Sequence, residues 1–207
     1  MSALNESNIP DLTGTWVFNR KLSDDPDEVF ALQGVSGIIR KVLKYARLSL
    51  EICQTTGPVD SPSTDETGNG DAVVSGKSTV TSLQVKQIVN PGGFDSQGCY
   101  IVDGRVQDLT VPVFGTVRTQ LKFVEIHEIG DDSIRQAFEI ANYSEKVIQE
   151  LAHDIPKPSA RDQSKTWEAE VIWAFENIDG KRCLTRNVSI VGGEKKITVK
   201  MIYDNRV

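Results

Sequence analysis

The chain is poor in the residues that most metal and nucleophilic chemistry requires. It has two histidines, His127 and His153, far apart and outside any ligand-spaced cluster, so no metal centre is expected. It has three cysteines, Cys53, Cys99 and Cys183, with no Cys-x-x-Cys pair. That spacing excludes a dithiol redox motif and leaves room for at most one disulfide. It fits reduced, buried and inert thiols in a cytoplasmic protein. No serine sits in a nucleophile-elbow pattern. The pairs Gly92-Gly93 and Gly192-Gly193 fall in turns rather than at the start of a helix, so neither makes a phosphate loop. No cofactor is expected.

Long apolar runs are absent too, which excludes a membrane-spanning helix. Positive charge is in deficit. With 23 Lys and Arg against 29 Asp and Glu the net charge is −6, and no basic stripe is present. A nucleic-acid partner is therefore not expected, and neither is membrane insertion. The opening residues, MSALNESNIPDL, have neither the basic nor the apolar segment of a signal peptide, which again points to the cytoplasm. At 207 residues the chain reads as one domain over 1–207, large enough to enclose a cavity.

What the chain does have is alternation. Trp16 and Phe18 share one face of a strand over Thr13–Arg20, with Thr15 and Val17 on the other. Next comes SDDPDE, where Ser23 or Asp24 is placed to cap a short helix. Gly34 ends that helix. Val35, Ile38, Ile39, Val42 and Leu43 then recur at helical spacing opposite Arg40, Lys41 and Lys44. Period two resumes at Leu48, Leu50 and Ile52. The stretch 55–72, rich in Gly, Pro, Ser and Asp, reads as a mobile loop between strands.

Further strands are expected over Thr79–Val89, Gly98–Val106, Val117–Phe123 and Ile134–Ile140, with PGGFDS and VDGR as turns. Asn142–Ile155 fits helix and strand alike. The clearest strand carries Trp167, Ala169, Val171, Trp173 and Phe175 on one face and Glu168, Glu170 and Glu176 on the other. Asp179-Gly180 turns it back into Cys183–Ile190, and Ile197, Val199, Met201 and Tyr203 close the chain. The sum is an all-β fold of about eight to ten antiparallel strands, a barrel or sandwich, with a short helical insertion after the first strand.

Gly14-Thr15-Trp16 on a first strand, followed by helices and an antiparallel meander, resembles the calycin superfamily of lipocalins and fatty-acid-binding proteins. The closing Met201-Ile202-Tyr203-Asp204 is similar to the last strand of a fatty-acid-binding barrel. The LTGTW, LSDD and LQGV stretches and the C-terminal hairpin with Trp173-Ala174-Phe175, Asp179-Gly180 and Thr185-Arg186 resemble small lipocalin-like proteins of filamentous fungi. The resemblance implies a calycin-like β-barrel with a helical lid. It also implies that Trp16 is buried beneath the cavity against an arginine, Arg186 or Arg206.

In such a barrel the inward side chains serve as core and pocket wall at once. The expected ligand-binding residues are Leu121, Phe123, Phe138, Val171, Trp173, Phe175, Met201 and Tyr203, under a cap formed by the helix Val35–Leu43. Tyr100 and Tyr203 are the expected polar handles and the catalytic candidates, because a buried phenol seeks a partner. Glu168, Glu170 and Glu176 are expected to point outward, since an unpaired inward charge is costly. The expected partner is a hydrophobic small molecule; a homodimer is compatible with the sequence. Two functional classes fit: a non-catalytic carrier, and a cyclase or isomerase of fungal secondary metabolism that folds a reactive intermediate without a cofactor.

Overall fold

The computed structural model describes residues 10–58, 79–141, 143–155 and 166–206. Ten strands follow one another as a meander: β1 (Gly14–Phe18), β2 (Arg47–Pro58), β3 (Thr79–Asn90), β4 (Ser96–Ile101), β5 (Val106–Val111), β6 (Gly115–Val124), β7 (Val147–Asp154), β8 (Trp167–Ile178), β9 (Lys181–Gly192) and β10 (Lys195–Asn205). Neighbours in sequence pair antiparallel, and β1 also pairs with β10, giving the order β4-β3-β2-β1-β10-β9-β8-β7-β6-β5. Only β4 and β5 lack a ladder between them. Residues 102–104 bridge that seam, since Val102 N–H donates to Thr81 O at 2.8 Å and Gly104 N–H to Leu121 O at 2.7 Å. The result is a nearly closed antiparallel barrel.

Two helices, α1 (Asp27–Leu32) and α2 (Gly37–Tyr45), fill the connection from β1 to β2. Neither Ser23 nor Asp24 caps α1, whose N-cap position is Pro26. Both side chains instead accept from the last strand: Ile202 N–H donates to Ser23 Oγ at 2.8 Å and Lys200 N–H to Asp24 Oδ2 at 2.7 Å. The polar stretch after β1 therefore ties the helices to β10. Packing fixes α1 at the barrel end where β8 begins and β9 finishes: a Cβ on Gly192 would meet Leu32 at 3.2 Å.

The Gly-x-Trp motif lies toward the other end. Gly14 has φ +147°, open to glycine but strained for other residues, and a Cβ there would lie 3.4 Å from the folded-back Trp16 indole. Trp16 is buried, donates from Nε1 to Leu12 O at 2.9 Å, and packs on Phe175 with ring centroids 5.3 Å apart. The expected arginine partners do not fill that role. Arg186 lies instead over Trp173 at 4.2 Å, and it is Arg182 that covers Phe175, at 3.9 Å. Among the described residues the cation stacked nearest this group lies over Phe175, the ring that packs on Trp16.

Several expected boundaries are corrected. Ile134–Ile140 is not a strand but part of helix α3 (Asp132–Ile140). Positions 134, 138 and 140 satisfy period two, yet only Ile134 and Phe138, four apart on a helix face, are buried, and Ile140 is 82 % exposed. The cap decides: Asp131 Oδ1 accepts from Ser133 N–H and Ile134 N–H at 2.9 and 3.0 Å. The expected strand Gly98–Val106 stops at Ile101, the VDGR segment 102–105 is the expected turn, and β5 starts at Val106. The expected loop at 55–72 begins later, because β2 pairs with β3 through Pro58, and the remainder falls outside the described residues. The ambiguous segment holds β7, a strand. Of the three thiols expected to be buried, only Cys183 is; Cys53 and Cys99 are exposed, and all three are free.

Helix α3 packs outside the barrel. Ile134 and Phe138 join Val124, Ile129, Val147, Ile172 and Ala174 in a second apolar cluster on the outer face of β6, β7 and β8. Asp131 latches it down, accepting from Ser189 Oγ of β9 at 2.7 Å and pairing with Lys196 of β10 at 2.7 Å. Burial alone pushes the Asp131 carboxyl up. Hydrogen bonds from Lys196, Ser133, Ser189 and the Ile134 amide outweigh that and hold it well below the usual carboxylate range.

Two predictions follow from this packing. Trp16→Ala should lower stability by about 3–5 kcal/mol, the range for emptying a large aromatic site, in a denaturant melt. For Asp131 the depressed folded value means a contribution present above the unfolded value of about 3.9 and lost as pH falls below it. Thermal melts of wild type and Asp131→Asn should therefore differ at neutral pH and converge in acid. A constant gap across that range would show that charge is not what holds α3.

Candidate functional site

The inward faces of the strands leave a cavity of about 180 Å³. An engineered cavity of about 150 Å³ already takes up benzene, so this space is of ligand size. Its roof is mainly α1, through Val29, Phe30 and Gln33; α2 adds Leu43 alone, so the expected cap by 35–43 is misplaced by one helix. Phe30 meets Phe114 of the β5–β6 turn edge-on at 5.9 Å, joining roof to wall. The walls are largely apolar, with Leu48, Leu50, Val85, Val117, Val171 and Val188 among them.

The lower part of the cavity is different. Strand β7 turns Ile148, Glu150 and Ala152 inward, and Glu150 is 7 % exposed. Trp173 Nε1 donates to Glu150 Oε2 at 2.9 Å, and Thr119 Oγ1 to Glu150 Oε1 at 3.4 Å. Arg186 Nη2 lies 3.6 Å from Glu150 Oε2 while its guanidinium covers the Trp173 ring. Register explains the grouping: Arg186 is paired with both Trp173 and Met201, and Glu150 with both Leu121 and Val171. One belt of inward residues across β6 to β10 thus carries a carboxylate, an indole, a guanidinium and, two positions from Met201, the Tyr203 phenol.

Both phenols titrate above their ordinary value. Burial raises Tyr203, against the opposing charge of Arg186. Burial also raises Tyr100, with the Glu150 charge adding to it and Arg186 subtracting. Each is therefore an O–H donor throughout the physiological range. Burial disfavours the Arg186 charge, but Tyr203, Glu150 and Tyr100 together raise its value.

Of the expected site residues, Tyr100, Val171, Trp173, Met201 and Tyr203 line the cavity. Leu121 is fully buried in the core beside Glu150, and Phe123 packs against that core from its edge. Phe175 lies in the layer beyond, between Trp16 and Arg182. Phe138 is on α3, outside the barrel, because the segment that carries it is helical. Glu168, Glu170 and Glu176 do point outward. Glu170 accepts from the Gly130 and Asp131 amides at 2.9 and 2.7 Å, and Glu176 accepts from Thr185 at 2.7 Å. Glu150 and Arg186 were not legible as a pair: a glutamate inside β7 breaks the apolar alternation that would have marked it.

Comparison with solved structures places this architecture. The fluorescent protein UnaG superposes with a TM-score of 0.51 at 13 % identity, over 94 % of this chain and 97 % of that one. A single-substitution variant of the REP1-NXSQ fatty acid transporter gives 0.50 at 14 % identity, over 95 % and 98 %. The fold is that of a calycin barrel. In sequence, this calycin barrel is 27 % identical over 206 residues to the probable pericyclase scpY of Mollisia scopiformis, covering 95 % of this chain and 90 % of that protein. No protein-family model matches the chain. Among the described residues no helix is long and apolar enough to cross a membrane.

The buried pair makes a stability prediction. Removing one partner strands the other's charge, so Glu150→Leu alone should cost about 3–5 kcal/mol. Replacing both, as Glu150→Leu with Arg186→Met, should recover much of that loss. Denaturant melts of the two single variants and the double variant measure it. Additive losses would mean that the two groups act independently.

Proposed function

We propose that this barrel takes one mainly apolar small molecule into its interior and steers its ring closure, in the manner of a pericyclase that needs no cofactor. The observation that carries this reading is the cavity itself, apolar around most of its wall and bearing one fixed polar cluster of Glu150, Arg186, Tyr100 and Tyr203. The relative named a probable pericyclase, aligned over nearly the whole chain, supports the same reading.

The chemistry asks for no nucleophile. An intramolecular cycloaddition converts two π bonds into two σ bonds, loses no atom and transfers no electron to the protein. What a protein contributes is geometry: it holds a flexible chain in the one conformer whose reacting ends meet, so the freezing of internal rotations is met on binding rather than in the transition state. Fixed donors aimed at a conjugated carbonyl add stabilisation of the charge that develops there. Here the phenols of Tyr100 and Tyr203 and the Arg186 guanidinium are such donors. The second reading is a non-catalytic carrier, favoured by the barrel's likeness in fold to a fatty acid transporter variant.

Product analysis separates the two. Purified protein is added to uncyclised polyene or quinone-type intermediates, and product ratio and stereochemistry are followed by chiral chromatography. The expected outcome is a faster closure with one enantiomer dominant, and a several-fold slower rate in Tyr203→Phe at an unchanged melting temperature. Rates and ratios equal to the protein-free control, with the intermediate bound, would leave the carrier.

A further inference from the structure

The polar end of the cavity also defines what kind of polar group a ligand brings to it. Arg186 carries five N–H donors. The chain occupies few of them: Nη2 meets Glu150 at 3.6 Å and Tyr203 stands beside the guanidinium, while the Nε–H is covered by protein, so the donors open to the cavity are those of the terminal nitrogens. Stacking on Trp173 fixes the plane of the group at 4.2 Å, and about a fifth of the side chain stays uncovered where it lines the cavity. Donor capacity is therefore left over at this spot and held in one orientation.

The charge, by contrast, is already answered. Glu150 is anchored by two donors, the Trp173 indole at 2.9 Å and the Thr119 hydroxyl at 3.4 Å, so it cannot swing away to make room for another anion. The cluster as a whole sums to zero: one carboxylate, one guanidinium and two phenols. A ligand carboxylate would bring a second negative charge beside a buried, immobile first one. An uncharged acceptor meets only the surplus donors.

Resting on the interior-binding reading above, we propose that the polar end of this cavity selects an uncharged hydrogen-bond acceptor, a ketone or conjugated carbonyl, seated on Arg186 and the neighbouring phenols, and that Glu150 excludes ligands carrying a carboxylate. Glu150 then acts as a specificity-determining residue: it accepts no group from the ligand, and it sets the charge the ligand can have.

The test uses a matched set of one long alkyl chain ending as a carboxylate, as a methyl ketone or as the plain alkane. Each competes with a polarity-sensitive dye bound to the whole protein, at a pH where the free acid is ionised. Wild type should prefer the ketone to the carboxylate by about tenfold or more, and to the alkane by a smaller factor. Glu150→Gln keeps an acceptor for the Trp173 indole but removes the charge, and should raise carboxylate affinity about tenfold. Arg186→Leu should narrow the ketone's advantage over the alkane, leaving what the two phenols supply. A carboxylate bound as tightly as the ketone by wild type would overturn the proposal, as would an unchanged carboxylate affinity in Glu150→Gln. The wild-type order and Glu150→Gln decide the question even if Arg186→Leu does not fold. Failure of all three ligands to displace the dye is a different result, and it defeats interior binding itself.

Discussion

A carboxylate facing into an apolar barrel is the constraint around which this interior is arranged. Left alone, Glu150 would cost more than most single side chains contribute. Its neutralisation draws on three strands: the indole from β8, the guanidinium from β9 and the hydroxyl from β6. Each partner must arrive in register, because a slip of one residue would turn it to the outside. The same belt that satisfies the charge thus fixes how β6 to β9 align, and it sets the level at which the cavity turns polar.

The rest of the molecule keeps that belt in place. Beyond it, Trp16, Phe175 and Arg182 stack into a layer that closes the interior toward the β8–β9 turn. At the opposite end α1 covers the cavity and is tethered to β10 through Ser23 and Asp24. On the outside, α3 buries the apolar back of β7 and β8, with Asp131 bonded across to β9 and β10. So the strands that carry Glu150, Trp173 and Arg186 are packed on both faces. That rigidity is what a site of fixed donors requires.

The architecture was largely readable from the residues. The inward positions of β8 and β10 are apolar along their length, and Gly14 with Trp16 marks the first strand. Reading failed where two periods fit the same few residues. Ile134, Phe138 and Ile140 suit a strand on spacing alone, and only the Asp131 cap distinguishes the helix. The pocket residues on β8 and β10 were legible because large apolar side chains declare an inward face. Glu150 was not, since a charged residue is presumed outward until a partner several strands away is known, and Arg186 was read as inward but against Trp16 rather than beside Glu150 and Trp173. The most informative residues of the site were thus the ones that violate the pattern used to find it.

The roof closes against the wall by a contact of a particular kind. Phe30 of α1 and Phe114 of the β5–β6 turn touch ring to ring, and the seam between β4 and β5 beneath them has no continuous ladder. Neither ring belongs to a strand, so parting them would break no strand pairing. A local opening there would draw on that ring contact rather than on the strand ladders, at a free-energy cost below that of global unfolding. The residence time of any guest and the durability of the barrel would then be separate quantities, open to independent adjustment.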